Sequence, residues 1–195
     1  MTKPIQKSKK RYVERPDVRE LLLDAAEALI FDDGYSSATA RKISAKAGLT
    51  HQAVFYYFGS VDELLVALLR RSTGKYIEAL NEVLSSDNPL KNLWSLLNDG
   101  RSTRLSLEFL ALANHNEAVG MEIAKNADVI RRLENSAIEK HLAQKKLKPN
   151  LEPELISILI NALARLLVQE ANLGISMGHE SIHKLVDTYI ANLEG

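Results

Sequence analysis

The stretch GLTHQAVFYYF, Gly48 to Phe58, decides how the rest of the chain is read. Phe55, Tyr56, Tyr57 and Phe58 are four consecutive aromatics, too many for one face of a helix, so some must point away from a core. At i, i+3 and i+4 spacing, Val54, Tyr57 and Phe58 form one face, while His51, Gln52, Phe55 and Tyr56 fall on the other. Gly48-Leu49-Thr50 reads as a turn, with Thr50 placed to cap a short helix over about 51–57. Upstream, a helix over about 39–47, opened by Ser37 or Thr39, carries Ile43 and Ala47 on a small apolar side and stops at Gly48. Two short helices joined by a tight turn containing glycine form a helix-turn-helix.

Outward from this pair the chain is helical in both directions. Val18, Leu21, Leu22, Ala25, Ala26, Leu29 and Ile30 recur at three- and four-residue steps, which predicts a helix over 17–33 that starts near Pro16 and stops at Gly34. Ser60-Val61-Asp62-Glu63 is a capping box that opens a long fourth helix reaching the Ser85–Pro89 loop. Further helices are expected over 89–98, 101–114, 117–146, 152–174 and 179–193. Sustained period-2 alternation does not occur in the sequence, not even on either side of Asp33-Gly34 and Asp99-Gly100, so no hairpin is read and the fold class is all-α. The expected division is 1–60, an N-terminal arm with the helix-turn-helix domain, and 61–195, a larger helical domain.

The 195 residues carry no net formal charge, but the charge is unevenly spread. Residues 1–60 are net +3 and the remainder net −3, and the first thirteen residues hold Lys3, Lys7, Lys9, Lys10 and Arg11 with no acid. A cationic arm on a neutral protein suits a polyanionic partner, although a solvated tail has the same composition. Cysteine is absent, which excludes disulfides, thiolate catalysis and cysteine-based zinc sites. With no apolar secretion segment and no apolar run long enough to span a bilayer, the expected location is cytoplasmic.

A helix of this kind fits the major groove of DNA, where its first turns reach base edges. Gln52 can pair with adenine, Phe55 can pack on a thymine methyl, and His51 can donate to a phosphate or a guanine. Thr50 and Tyr56 carry hydroxyls suited to phosphate oxygens. Arg41, Lys42 and the arm, Lys9, Lys10 and Arg11 included, supply cations. The alternative is a helical adaptor whose aromatic face docks another protein without specific DNA binding.

The run LLLDAAEALIFDDGYSSATARKISAKAGLTHQAVFYYFGSVDELLVALL, residues 21–69, resembles the DNA-binding domain of the tetracycline-repressor (TetR) family of bacterial transcription regulators. The resemblance rests on Ala25-Ala26, Gly34-Tyr35, Thr39, Arg41, Ile43, Ala47-Gly48, Tyr56-Tyr57-Phe58, Ser60 and Glu63-Leu64. It implies a three-helix DNA-binding domain joined through a long fourth helix to a helical ligand-binding and dimerisation domain. The chain departs from the family where a tyrosine is common and Phe55 stands, and where lysines are common and His51 and Val61 stand. Three usual phosphate contacts are thereby weakened.

From Leu155 to Val168 nearly every residue is apolar except Ser157, Asn161 and Arg165, which with Gln169 form a thin polar line at i, i+4 steps. The last helix has its own apolar stripe. Both suit a monomer core, or pairing with a second copy across a two-fold axis. The resemblance favours the homodimer, with Leu155, Leu159, Ala162 and Leu166 meeting Ile182, Val186, Tyr189 and Ile190 at the interface. A two-fold dimer would read an inverted repeat. The resemblance also implies an effector site among helices four to seven, with candidate lining residues Trp94, Leu97, Leu105, Glu108, Phe109, Leu112, His115 and Met121. Arg104, Asn114 and Ile130 stand beside them. This mostly apolar set suits a lipophilic or aromatic small molecule.

An enzyme is not expected. The sequence has no phosphate-cradling glycine loop; Gly174-Ile175-Ser176-Met177-Gly178 has Gly-x-Ser-x-Gly spacing but follows an expected helix rather than a strand, and His179-Glu180-Ser181-Ile182-His183 has His-Glu-x-x-His spacing. His179 and His183 stand at i, i+4, but no cysteine or well-spaced carboxylate completes a metal site. Neither a metal nor a cofactor is expected.

Overall fold

The computed structural model describes residues 16–194; the expected arm residues Lys9, Lys10 and Arg11 lie outside them. Among the described residues there are nine α-helices and no strands. They are α1 (Pro16–Asp33), α2 (Ala40–Lys46), α3 (Gln52–Phe58), α4 (Val61–Leu84), α5 (Pro89–Leu97), α6 (Gly100–Ala113), α7 (Glu117–Lys145), α8 (Pro153–Asn172) and α9 (His179–Glu194). A short 3-10 turn, Tyr35–Ser37, joins α1 to α2. The helix boundaries fall within one or two residues of the sequence expectations, because caps and glycines mark the ends chemically. Ser60 accepts from the Glu63 N–H at 3.0 Å to start α4, and Asn116 accepts from the Val119 N–H at 3.0 Å to start α7.

One cap differs from expectation. α3 begins behind His51 with no side-chain cap, and Thr50 contributes its carbonyl, which accepts from the Ala53 N–H at 2.9 Å. The chain enters α3 already curved, so the backbone supplies the first bond in place of the Thr50 hydroxyl.

Two apolar cores share α4. The first gathers Leu22, Ala26 and Ile30 of α1, Ile43 of α2, Val54 and Phe58 of α3, and Leu64, Leu65 and Leu68 of α4. Phe109 and Leu112 of α6 and Val119 of α7 close it. The second joins Leu80 of α4 to Leu90, Leu93 and Trp94 of α5, Ile138 of α7, Ile156 and Ile160 of α8, and Val186 and Ile190 of α9. Each fully buried large side chain contributes roughly 1.5–3 kcal/mol to holding these layers together. Glu194, near the end of α9, accepts from the Leu90 and Lys91 N–H groups at 2.9 and 3.0 Å and so caps α5.

The two C-terminal helices do not share one role. On α8, Leu155, Leu159, Ala162 and Leu166 lie outward, with the three leucines each 41% exposed. On α9, Val186 and Ile190 are buried in the subunit's own core, with Ile182 and Tyr189 packed against it. The α9 stripe expected at a dimer interface is consumed in covering α5 and α8 within one subunit. Its large exposed apolar residue is Leu185 instead.

Candidate nucleic-acid interface and ligand cavity

The helix-turn-helix is fixed from below. Thr39 caps α2 through its hydroxyl, which accepts from the Lys42 N–H at 3.4 Å. Gly48 takes φ +69, and Leu49 donates to the Ser44 carbonyl at 2.8 Å, tightening the turn into α3. Ala53, Val54, Tyr57 and Phe58 are the buried side of α3. Arg19 of α1 donates to the Tyr57 carbonyl at 2.9 Å, and its guanidinium lies 4.2 Å from the Phe58 ring centre. Gly59 then takes φ +82 and leads directly to the α4 cap.

The opposite side of α3 faces outward. His51 and Gln52 are exposed, Phe55 is 50% exposed and Tyr56 48%. Thr39, Arg41 and Thr50 are exposed as well. Within α3 and its cap only His51 can carry positive charge, and the nearest cations in sequence, Arg41, Lys42 and Lys46, belong to α2; Lys46 pairs with Asp32 at 3.5 Å. Phe55 and Tyr56 thus stand side by side as half-exposed aromatics on the outward side of α3.

A cavity of about 350 Å³ lies between α4, α5, α6, α7 and α8. Of the expected lining residues, Leu97, Leu105 and Phe109 line it, together with Ile130. The others lie elsewhere. Trp94 packs edge-on against His183 in the second core, and Leu112 belongs to the first. His115 is exposed in the α6–α7 turn, and Met121 is 68% exposed. Glu108 sits on the side of α6 that meets the N-terminal helices, where a carboxylate oxygen accepts from the Tyr35 N–H at 2.9 Å. Arg104 lies over the ring of Phe31 at 4.8 Å. Segment assignment alone leaves the rotation of each helix undetermined, and a single residue step turns a side chain by about 100°.

The polar lining was not among those candidates. Tyr76 of α4, Glu134 of α7, and Ser157, Asn161 and Arg165 of α8 all reach the cavity. The signal was present in the thin polar line on α8, whose first three members face α7 and the cavity. Glu134 Oε2 accepts from Ser157 Oγ at 2.5 Å and from Asn161 Nδ2 at 2.8 Å. Burial pushes the Glu134 carboxyl above its ordinary range, and those two hydrogen bonds and Arg131 pull it part of the way back. Burial and the neighbouring Glu134 likewise raise the Tyr76 hydroxyl.

The two C-terminal histidines are engaged separately. His179 bonds Glu170 at 2.8 Å, whereas His183 meets Trp94. No group of three or more metal-ligating side chains occurs among the described residues. No single helix among them is long and apolar enough to cross a membrane.

Residues 22–68 match the family described as "Bacterial regulatory proteins, tetR family". The chain is 25% identical over 132 residues to the fatty acid metabolism regulator protein of Bacillus subtilis (strain 168), covering 66% of this chain and 64% of that relative. It is 28% identical over 135 residues to the HTH-type transcriptional repressor AcnR of Corynebacterium efficiens, covering 62% of this chain and 72% of the relative. Both are named as regulators rather than enzymes. The fold is shared with a transcriptional regulator from Saccharomonospora viridis solved in complex with choline, at a TM-score of 0.73 and 19% identity, over 91% of this chain and 97% of that one.

Proposed function

We propose that this chain, which belongs to the TetR family of bacterial transcription regulators, is a ligand-responsive repressor that binds an inverted-repeat operator as a homodimer in the cytoplasm. The observation that carries the proposal is the outward set Gln52, Phe55 and Tyr56 on a helix whose other face is locked into the core. Lowered into a major groove, α3 offers Gln52 to an adenine edge and Phe55 to a thymine methyl. Thr39, Arg41, Thr50, His51 and Tyr56 supply phosphate contacts, with Lys9, Lys10 and Arg11 adding charge. On this reading residues 1–60 are the DNA-binding part and 61–195 the effector and dimerisation part, with α4 serving both cores.

One helix-turn-helix makes too few contacts for specific binding, so two copies are required. The exposed leucines of α8 supply the apolar surface for that pairing. The cavity supplies the effector site, its apolar walls suiting a lipophilic or aromatic body. α6 couples the two regions. One side carries Leu105 and Phe109 into the cavity, and the other carries Arg101 and Arg104 against Phe31 and Glu108 against Tyr35. A ligand that prefers one setting of α6 thereby shifts the recognition helices and releases the operator.

Gel-shift competition with the DNA upstream of the protein's own gene tests this. Specific retention is expected, and Gln52→Ala or Phe55→Ala should weaken it roughly 10- to 100-fold with an unchanged melting temperature. Absence of specific retention would leave the adaptor as the better reading.

A further inference from the structure

The end of the cavity between α7 and α8 holds a carboxylate that the protein satisfies on one oxygen only. Glu134 is 1% exposed, and its Oε2 takes both available hydrogen bonds, from Ser157 and Asn161. Its Oε1 is buried and has no partner. Among the described residues no Lys, Arg or His lies within ion-pair distance of Glu134. The other charges on the cavity wall, Arg131 of α7 and Arg165 of α8, are both solvent-exposed. A buried carboxylate without a cation is costly, and an unpaired oxygen on it more so. Burial raising the Glu134 carboxyl reflects the same unmet need. Leu97, Leu105, Phe109 and Ile130 make much of the remaining wall apolar, while Tyr76 adds an aromatic ring close to the acid.

We propose that the effector is a cationic amphiphile: a protonated amine that donates to Glu134 Oε1, carried on an apolar body that fills the space toward Phe109. The proposal rests on the regulator reading above and names the ligand class of its cavity. A neutral donor would fill the hydrogen bond but leave the charge, and an anion would meet Glu134 while its attraction to the two arginines is screened by solvent.

Three probes with one tail and different heads test it. Octylammonium, octan-1-ol and octanoate are titrated calorimetrically into the full-length protein without DNA. Octylammonium is expected to bind tightest, about tenfold or more above octan-1-ol, because it alone brings a compensating charge to the buried carboxylate. Octanoate should bind weakest. Glu134→Gln should abolish the preference for the ammonium head. Octanoate binding as well as octylammonium, or an ammonium preference that survives in Glu134→Gln, overturns the proposal. The wild-type series does not depend on the variant folding. Operator retention is measured separately, so its loss would strike the regulator reading, while loss of the head-group preference would strike this one alone.

Discussion

Phe55 and Tyr57 stand two residues apart and have opposite fates, because α3 offers one face to the first core and the other to solvent. Glu134 shows the same sensitivity at another site. Nothing around position 134 in the sequence marks it as buried; its burial follows from where α7 meets α8. The raised carboxyl gives a signed pH dependence. Its protonated form is favoured by folding, so that contribution is complete below the ordinary value of 4.5 and disappears as pH rises through the folded value. The wild-type protein should therefore lose thermal stability relative to Glu134→Gln as pH is raised from 4.5 toward neutrality. Comparing the two melting curves isolates this from Glu122, whose carboxyl is held below its ordinary range by the hydrogen bond from Arg70 and acts in the opposite sense. A melting-temperature gap that stays constant with pH would count against a charged Glu134 in the core.

At the scale of the element, α6 is the informative helix. Its extent was legible in the sequence, but its two working sides were not. Phe109 lines the cavity while the adjacent Glu108 holds Tyr35 at the entry to α2. α4 has a comparable double role. Arg71 bonds Glu20, Asp24 and Glu27 of α1 at 2.7 to 2.9 Å, tying the N-terminal helices to the long shaft. If α6 transmits ligand binding, Glu108→Ala should leave ligand affinity unchanged while reducing ligand-driven operator release by about 1 kcal/mol of coupling, roughly fivefold. Titrating operator binding with and without ligand measures this. Release as complete as in the wild type would place the coupling elsewhere.

At the scale of the whole molecule, the question is which C-terminal surface remains for a second copy. α8 leaves Leu155, Leu159 and Leu166 outside the subunit, whereas α9 turns Val186 and Ile190 inward. The two helices therefore predict different phenotypes. Leu159→Glu should give a folded monomer in sedimentation velocity, with operator affinity lost along with the second half-site. Val186→Glu should destabilise the subunit itself by several kcal/mol, because it puts a charge into the second core. A Leu159→Glu protein that still sediments as a dimer would move the interface off this face.

The sequence by itself determined the elements and the family resemblance of residues 22–68. Helical periodicity, caps and positive-φ glycines are local chemistry, and the helix-turn-helix is a short-range motif whose outward side chains follow from spacing within seven residues. The orientation of the later helices was decided only by tertiary structure. Whether Met121 is wet, whether Val186 meets its own core or another subunit, and whether Ser157 and Asn161 find a buried acid all depend on how long helices roll against one another. That roll is set by the packing of side chains far apart in the chain, and no local pattern encodes it.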